Sequence, residues 1–166
     1  MLRLCAAITV ACTVGSFAVA ADSVVLGHGV SNEFLSHITC PATMLCTDAL
    51  YVWVIDADRM IVGPRVAGRV RAIFLQHTDA TSTFVKSVEL FVLRPLKDAS
   101  LRKSYGADYS LVSLSPRYPE GRYCLSVKPG DVGLDVPASS VVVDADSGQF
   151  CFPAAALASN NRWGVP

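Results

Sequence analysis

Residues 49–95 alternate strand-like runs with turn signals, and this pattern constrains the fold more than any other feature of the chain. Residues 50–55 are aromatic or aliphatic, mostly β-branched, and too apolar for a strand with one wet face, so we predict a central strand. Residues 65–76 alternate with period two, which predicts a half-buried strand. A second alternation runs over residues 84–93, and Pro95 is expected to end it.

Two Asp-Ala-Asp segments follow apolar runs, one at Asp56 and Asp58 and the other at Asp144 and Asp146. Short carboxylate side chains bond nearby backbone N–H groups, so both segments are predicted to be turns. Paired carboxylates also suit Ca²⁺, but neither segment has the further ligands and closing acid of an EF-type loop. We therefore prefer the turn interpretation, and expect residues 60–62 to form a short return strand.

Counting along the chain gives seven or eight strands at roughly ten-residue spacing. Ser31 is a candidate cap for a short helix over residues 32–37, and Asp98 for another over residues 99–105 that would end at Gly106. The predicted fold is therefore mainly β, a small antiparallel barrel or sandwich with one or two short helices. An OB-like barrel is one candidate, suggested by the strand count and by Gly68 inside a long strand.

The first twenty residues have the pattern of a secretory signal, with Arg3 followed by an apolar run and small residues at Ala18 and Ala20. We predict that residues 1–20 are cleaved, that residues 21–166 form a single disulfide-braced β domain, and that it is exported to the periplasm or outside the cell. No later apolar run reaches the ~18 residues of a membrane span, so the mature chain is expected to lack a transmembrane segment.

Four cysteines follow the predicted signal, an even number that favours two disulfides in an exported chain. Three pairings are possible. We favour Cys40–Cys46, which closes a small loop, and Cys124–Cys151, which would join two candidate strands.

Basic residues on the central strands suggest an anionic ligand. Arg65, Arg69 and Arg71 share one face in the period-two pattern, and Lys86 and Arg94 belong to the neighbouring strand. Nucleic acid is not expected, because the whole chain has 14 basic and 14 acidic residues and such binders usually carry a basic excess. A solvated strand face with acidic partners is the simpler interpretation, and an anionic polymer or small anion is the alternative.

Long polar loops on a rigid scaffold are where recognition tends to occur. Residues 77–83, 116–121 and 128–137 are such loops. The candidate partner-binding residues in them are His77, Thr78, Asp79, Lys128 and Asp131.

No nucleophile elbow, zinc-binding helix or phosphate-binding glycine loop occurs in the chain. His28, His37 and Cys40 do not have a known metal-ligand spacing, so we expect no metal and no cofactor. The sequence therefore predicts an exported, non-catalytic binding or protein-interaction module of the inhibitor, adaptor or accessory-subunit type, whose partner is another exported or envelope protein. A binder of anionic ligands is the alternative, and a catalytic site built from distant residues stays open.

Overall fold

The computed structural model describes residues 21–37, 49–76 and 82–160, and the structural statements below concern these residues. The mainly β prediction is confirmed. The strands are β1 Ser23–His37, β2 Ala49–Val62, β3 Gly68–Gln76, β4 Val88–Pro95, β5 Tyr109–Pro116, β6 Arg122–Leu125, β7 Val142–Val143 and β8 Phe150–Pro153. The helices are α1 Ser82–Ser87 and α2 Ala99–Tyr105, with 3-10 turns at Pro129–Val132, Ala138–Ser140 and Ala154–Asn160.

Five strands close into a barrel in the order β1-β2-β3-β5-β4. The barrel prediction is confirmed, with one difference: β3 and β5 run parallel, with Ala72 opposite Tyr109 and Ile73 opposite Ser110. A closed ring with an odd number of strands cannot be antiparallel at every pair, so one parallel contact is unavoidable. The strand order departs from chain order because β5 lies between β3 and β4.

The barrel interior is filled by large side chains from β2, β3 and β4. Trp53 is fully buried and meets the rings of Phe74 and Phe84 edge to face, at centroid distances of 6.1 and 6.3 Å. Helix α1 covers this part of the interior with the fully buried Val85. A Cβ atom at Gly29 would overlap the carbonyl oxygen of Val85, so only glycine lets β1 approach α1 this closely.

A second core joins the barrel to a three-stranded sheet with the order β6-β8-β7. Leu90 and Val92 of β4 belong to it, together with Tyr123, Leu125 and Phe152 of the sheet. The Tyr123 hydroxyl donates to Glu89 Oε2 at 3.0 Å. Burial, and then this bond to Glu89, raises the pKa of Tyr123 to about 12.

Serine hydroxyls of β5 satisfy backbone groups of the second sheet. Ser115 Oγ accepts from the Cys124 N–H at 2.9 Å, and Ser113 Oγ accepts from the Ser126 N–H at 3.0 Å. Ser113 and Ser115 are both buried. A buried N–H without an acceptor costs free energy, so these hydroxyls hold β6 against β5 where the backbone ladder does not.

We expect Ser115→Ala to lower the free energy of unfolding by about 1–3 kcal/mol, because the buried Cys124 N–H loses its acceptor. Chemical denaturation with a shared slope would measure the change. Ser104→Ala is the matched control, since Ser104 is exposed on α2. Equal stability of the two variants would contradict the prediction.

The predicted Cys124–Cys151 disulfide is confirmed. The two cysteines lie directly opposite each other on β6 and β8, and both are buried. The predicted Cys40–Cys46 bridge lies outside the described residues. Within those residues, no helix is long and apolar enough to cross a membrane.

Two predicted strands start too early. The strand predicted over residues 65–76 begins at Gly68, and residues 84–87 of the strand predicted over residues 84–93 belong to α1, which covers the barrel interior.

Two other predictions in the barrel, the turn at Asp56 and Asp58 with its return strand at residues 60–62 and the helix at residues 32–37, are wrong for one shared reason. Asp56 and Asp58 do not form a turn, because β2 continues through them. Residues 32–37 are not helical, because they belong to β1. The two strands pair from Val24 opposite Val62 to His37 opposite Ala49, and this long ladder outweighs the local turn and cap signals.

Two other local predictions are confirmed. Asp144 Oδ1 accepts from the N–H groups of Asp146 and Ser147, each at 3.0 Å, so this carboxylate stabilises a turn. Asp98 caps α2, and Gly106 ends it with φ 57°. In both cases the carboxylate bonds backbone N–H groups only two or three residues away, and interactions of this range can be predicted from local sequence patterns.

Candidate functional site

Two of the arginines predicted to bind a ligand, Arg69 and Arg71, lie on the solvent side of β1, β2 and β3, which we call the outer face. Cross-strand register arranges it in three rows, each with one residue from each strand. The rows are His28, Asp56, Arg69; then Ser31, Val54, Arg71; then Glu33, Val52, Ile73. The charged side chains of this face lie in all three rows.

The first row is an ion-paired cluster. Arg69 donates to both carboxylate oxygens of Asp56, from Nε at 2.7 Å and from Nη2 at 2.8 Å. The hydrogen bond and the charge of Arg69, with a smaller effect of His28, lower the pKa of Asp56. His28 lies 3.6 Å from Asp56 Oδ2 through Nε2 and 3.2 Å from Asp58 Oδ2 through Nδ1.

Arg71 forms a second bidentate pair that spans β2. Its Nη1 and Nη2 atoms lie 3.2 and 2.9 Å from the two Glu33 carboxylate oxygens, and its Nε donates to the Gly106 carbonyl oxygen at 2.8 Å. Arg71 pairs in register with Val54 and Glu33 with Val52, so the ion pair crosses the middle strand diagonally. Both valines are buried although they point away from the barrel interior, which fits coverage by the long arginine side chain.

The remaining predicted ligand residues lie elsewhere. Arg94 of β4 donates to both Asp22 carboxylate oxygens at 2.8 Å. Arg65 lies before β3, in the connection from β2, and Lys86 lies on α1. Both are exposed and make no hydrogen bond or ion pair with any described residue. The structure therefore brings Arg69 and Arg71 together and separates Arg65, Lys86 and Arg94 from them.

The predicted partner-binding loops are described only in part. Lys128 and Asp131 are exposed around the 3-10 turn Pro129–Val132, and the Asp131 N–H donates to the Lys128 carbonyl at 3.1 Å. His77, Thr78 and Asp79 lie outside the described residues.

Sequence reasoning missed the acidic partners of the arginines. The local patterns predict a turn at Asp56 and a helix at Glu33, and neither prediction places an acid on a strand beside an arginine. A single strand over residues 49–62 would put Asp56 on a strand, but its pairing with Arg69 also needs the register in which Ala57 lies opposite Gly68. The Glu33–Arg71 pair has no such local signal, because the two residues are 38 positions apart.

His28 beside Asp56 and Asp58 resembles part of a general-base site, because a carboxylate beside a histidine can orient the imidazole ring. However, the side chains of His28 and Asp58 are 53% and 63% exposed. Electrostatic interactions are weak in such a high-dielectric setting, and catalytic groups usually lie in clefts that exclude water. Among the described residues, no group of three His, Cys, Asp or Glu side chains could hold a metal ion. The geometry therefore suits a surface ion network.

Replacing Arg69 by alanine should raise the pKa of Asp56 towards its ordinary value, because the main cause of its lowering is lost. NMR titration of the side-chain carboxyl would measure this, and Glu33 should be unaffected. Arg71→Ala is the matched variant and should raise the pKa of Glu33 instead. Both ion pairs should stabilise the folded protein at pH values above the ordinary carboxylate pKa. This stabilisation should be lost as the pH falls through the lowered pKa of each carboxylate. Unchanged titration of Asp56 in Arg69→Ala would contradict the pairing.

The outer face carries no surplus positive charge. Each of its two arginines is held by a carboxylate, and Asp58 adds a further acid beside His28. A surface of this kind does not attract anions at long range. Comparison with protein-family models, curated proteins and solved structures finds no match for this chain, so its function is inferred from the surface chemistry itself.

Proposed function

We propose that this chain is an exported, non-catalytic protein-interaction module of the inhibitor, adaptor or accessory-subunit type, and that its partner is another exported or envelope protein. The observation that carries the proposal is the bidentate pairing of Arg69 with Asp56 and of Arg71 with Glu33. An anionic ligand would have to displace both carboxylates. A charge-balanced, rigid sheet surface is better suited to a protein surface with its own mixed charges.

Two features support export. Residues 1–20 have the order of regions expected of a secretory signal. Cys124 and Cys151 form a disulfide, and such bonds persist in oxidising compartments such as the periplasm or the extracellular space.

The alternative function is binding of a small or polymeric anion. The exposure of the ion pairs favours it, because the Arg69 side chain is 64% exposed and surface ion pairs contribute only about 0–1 kcal/mol. A multivalent anion could therefore compete with Asp56. Arg65 and Lys86, which have no partner among the described residues, would add charge at a distance from the outer face.

The test is an affinity capture with the mature, oxidised protein immobilised. It would be exposed in parallel to an exported-protein fraction, to heparin and to phosphatidylglycerol vesicles. We expect a stoichiometric protein to be retained, and Arg69→Ala with Arg71→Ala to leave heparin and vesicle binding at the background level. Retention of only heparin or vesicles, lost in that double variant but kept in Lys86→Ala, would overturn the proposal in favour of the alternative.

A further inference from the structure

Helix α2 stands apart from both cores of the protein. It follows β4 and precedes β5, and none of its residues is buried. Seven residues are too few for a helix to be stable by itself in water, where about 12–15 are needed. The fold therefore maintains a helix that contributes nothing to its own apolar cores.

Contacts at both ends hold α2 in one orientation. The Asp98 carboxylate accepts from the N–H groups of Ser100 and Leu101, at 2.7 and 3.3 Å. At the other end, Arg71 Nε donates to the Gly106 carbonyl at 2.8 Å. The Leu96 N–H donates to the Asp108 carbonyl oxygen at 2.9 Å, and this bond joins the two ends of the connection between β4 and β5. A helix fixed in this way loses little further entropy when it binds.

The charges of α2 differ from those of the outer face. Lys97, Arg102 and Lys103 are exposed, and none forms a salt bridge or hydrogen bond through its side chain with any described residue, although, after the hydrogen bonds from Ser100, the charge of Arg102 helps to lower the pKa of Asp98. Arg69, Arg71 and Arg94 of the barrel strands, in contrast, are each held by a carboxylate. The α2 connection thus carries three exposed cations in a short stretch, none of them with a salt bridge among the described residues.

An apolar stripe accompanies these charges. Leu101 is 37% exposed, and Tyr105 follows four residues later, so both lie on one side of the helix. Apolar anchors with this spacing, flanked by basic residues, are the features with which short helices bind apolar grooves of other proteins. Tyrosine and arginine are also enriched at the centres of such interfaces.

We propose that α2 is the docking element of the protein, and that it binds an apolar groove with an acidic rim on a partner protein. The apolar groove would receive Leu101 and Tyr105, and the acidic rim would face Lys97, Arg102 and Lys103. This inference rests on the proposed function and names the surface and the partner chemistry. A protein is favoured over an anionic polymer because the exposed leucine lies among the cations, where a polymer would gain nothing from it.

The test places a photo-reactive benzophenone residue at position 104, between the basic residues and Tyr105, in the oxidised mature protein. The probe is the exported-protein fraction of the source cells, and the cross-linked protein is then purified for affinity measurement. We expect the cross-linked peptide to be acidic with apolar residues. Arg102→Glu with Lys103→Glu should weaken binding about tenfold or more, and so should Leu101→Ala. Raising the ionic strength should weaken binding of the unsubstituted protein.

The matched control is Arg65→Glu with Lys86→Glu, which makes the same change in net charge at two exposed positions outside α2. It should bind as the unsubstituted protein does. Unchanged affinity in the α2 double variant would overturn the docking inference and leave the proposed function standing. Capture of no protein at all would overturn the proposed function itself. Binding of heparin or phosphatidylglycerol vesicles in place of protein, lost in the α2 double variant, would assign α2 to an anionic polymer or membrane and overturn the inference.

Discussion

Replacing Trp53 by alanine is expected to lower the free energy of unfolding by about 3–5 kcal/mol, the range for large aromatic residues in cores. Trp53 is fully buried in the barrel, packs against Phe74 and Phe84, and donates from Nε1 to Gln76 Oε1 at 3.3 Å. Its loss leaves a cavity where β2, β3 and α1 meet. Since small domains have only about 5–15 kcal/mol of stability, a large share of the protein should then be unfolded at modest denaturant concentrations.

Urea or guanidinium titration followed by circular dichroism would measure the change. Trp53→Phe should cost less, because the ring still fills much of the space, although Gln76 Oε1 loses the indole donor. Val142→Ala is the exposed control and should stay within about 0.5 kcal/mol of the unsubstituted protein. A Trp53→Ala protein as stable as this control would show that the barrel does not close around Trp53.

Removing the Cys124–Cys151 disulfide should have the second large effect. The bridge spans 27 positions of sequence, and loop-closure entropy for that length predicts a loss of about 3–4 kcal/mol. The double variant Cys124→Ala with Cys151→Ala avoids leaving a free thiol. It should unfold at a lower denaturant midpoint because its unfolded chain has more conformational freedom.

Reduction provides the comparison for this variant. Reductant should destabilise the unsubstituted protein, and also a Cys40→Ala, Cys46→Ala variant, because that variant keeps the Cys124–Cys151 bridge. If the Cys124→Ala, Cys151→Ala protein were as stable as the oxidised unsubstituted protein, the bridge would contribute no stability. Both measurements need only the purified mature chain.

Patterns of short range were sufficient for several features. The apolar run at residues 50–55 lies in the first half of the long strand β2, and Asp98 begins and Gly106 ends α2 as predicted. The Cys124–Cys151 pairing followed from two candidate strands. For the strand and the helix, the side chains that decide the structure lie close in sequence or repeat with the period of the element that they form.

Local signals failed where strand pairing opposed them. The carboxylates of Asp56 and Asp58 suit a turn, yet β1 and β3 both pair with this part of β2 and keep it extended. Pairing of β1 with β2 likewise places Glu33 in a strand. The sequence predicts acidic partners for the arginine face, but it does not identify Asp56 and Glu33 as those partners, because it places them in a turn and a helix.

The sequence by itself determined the mainly β class and the presence of a capped short helix, because each depends on residue type and local spacing, and it favoured the Cys124–Cys151 pairing among three possible ones. Only the tertiary structure decided the partners of the charges. Arg71 meets Glu33 across 38 positions and Arg94 meets Asp22 across 72, since barrel closure brings distant strands side by side. Closure also left α2 outside both cores, and its cations form no salt bridge among the described residues. Which charges are neutralised and which stay free depends on strand order and register, and these are properties of the whole chain.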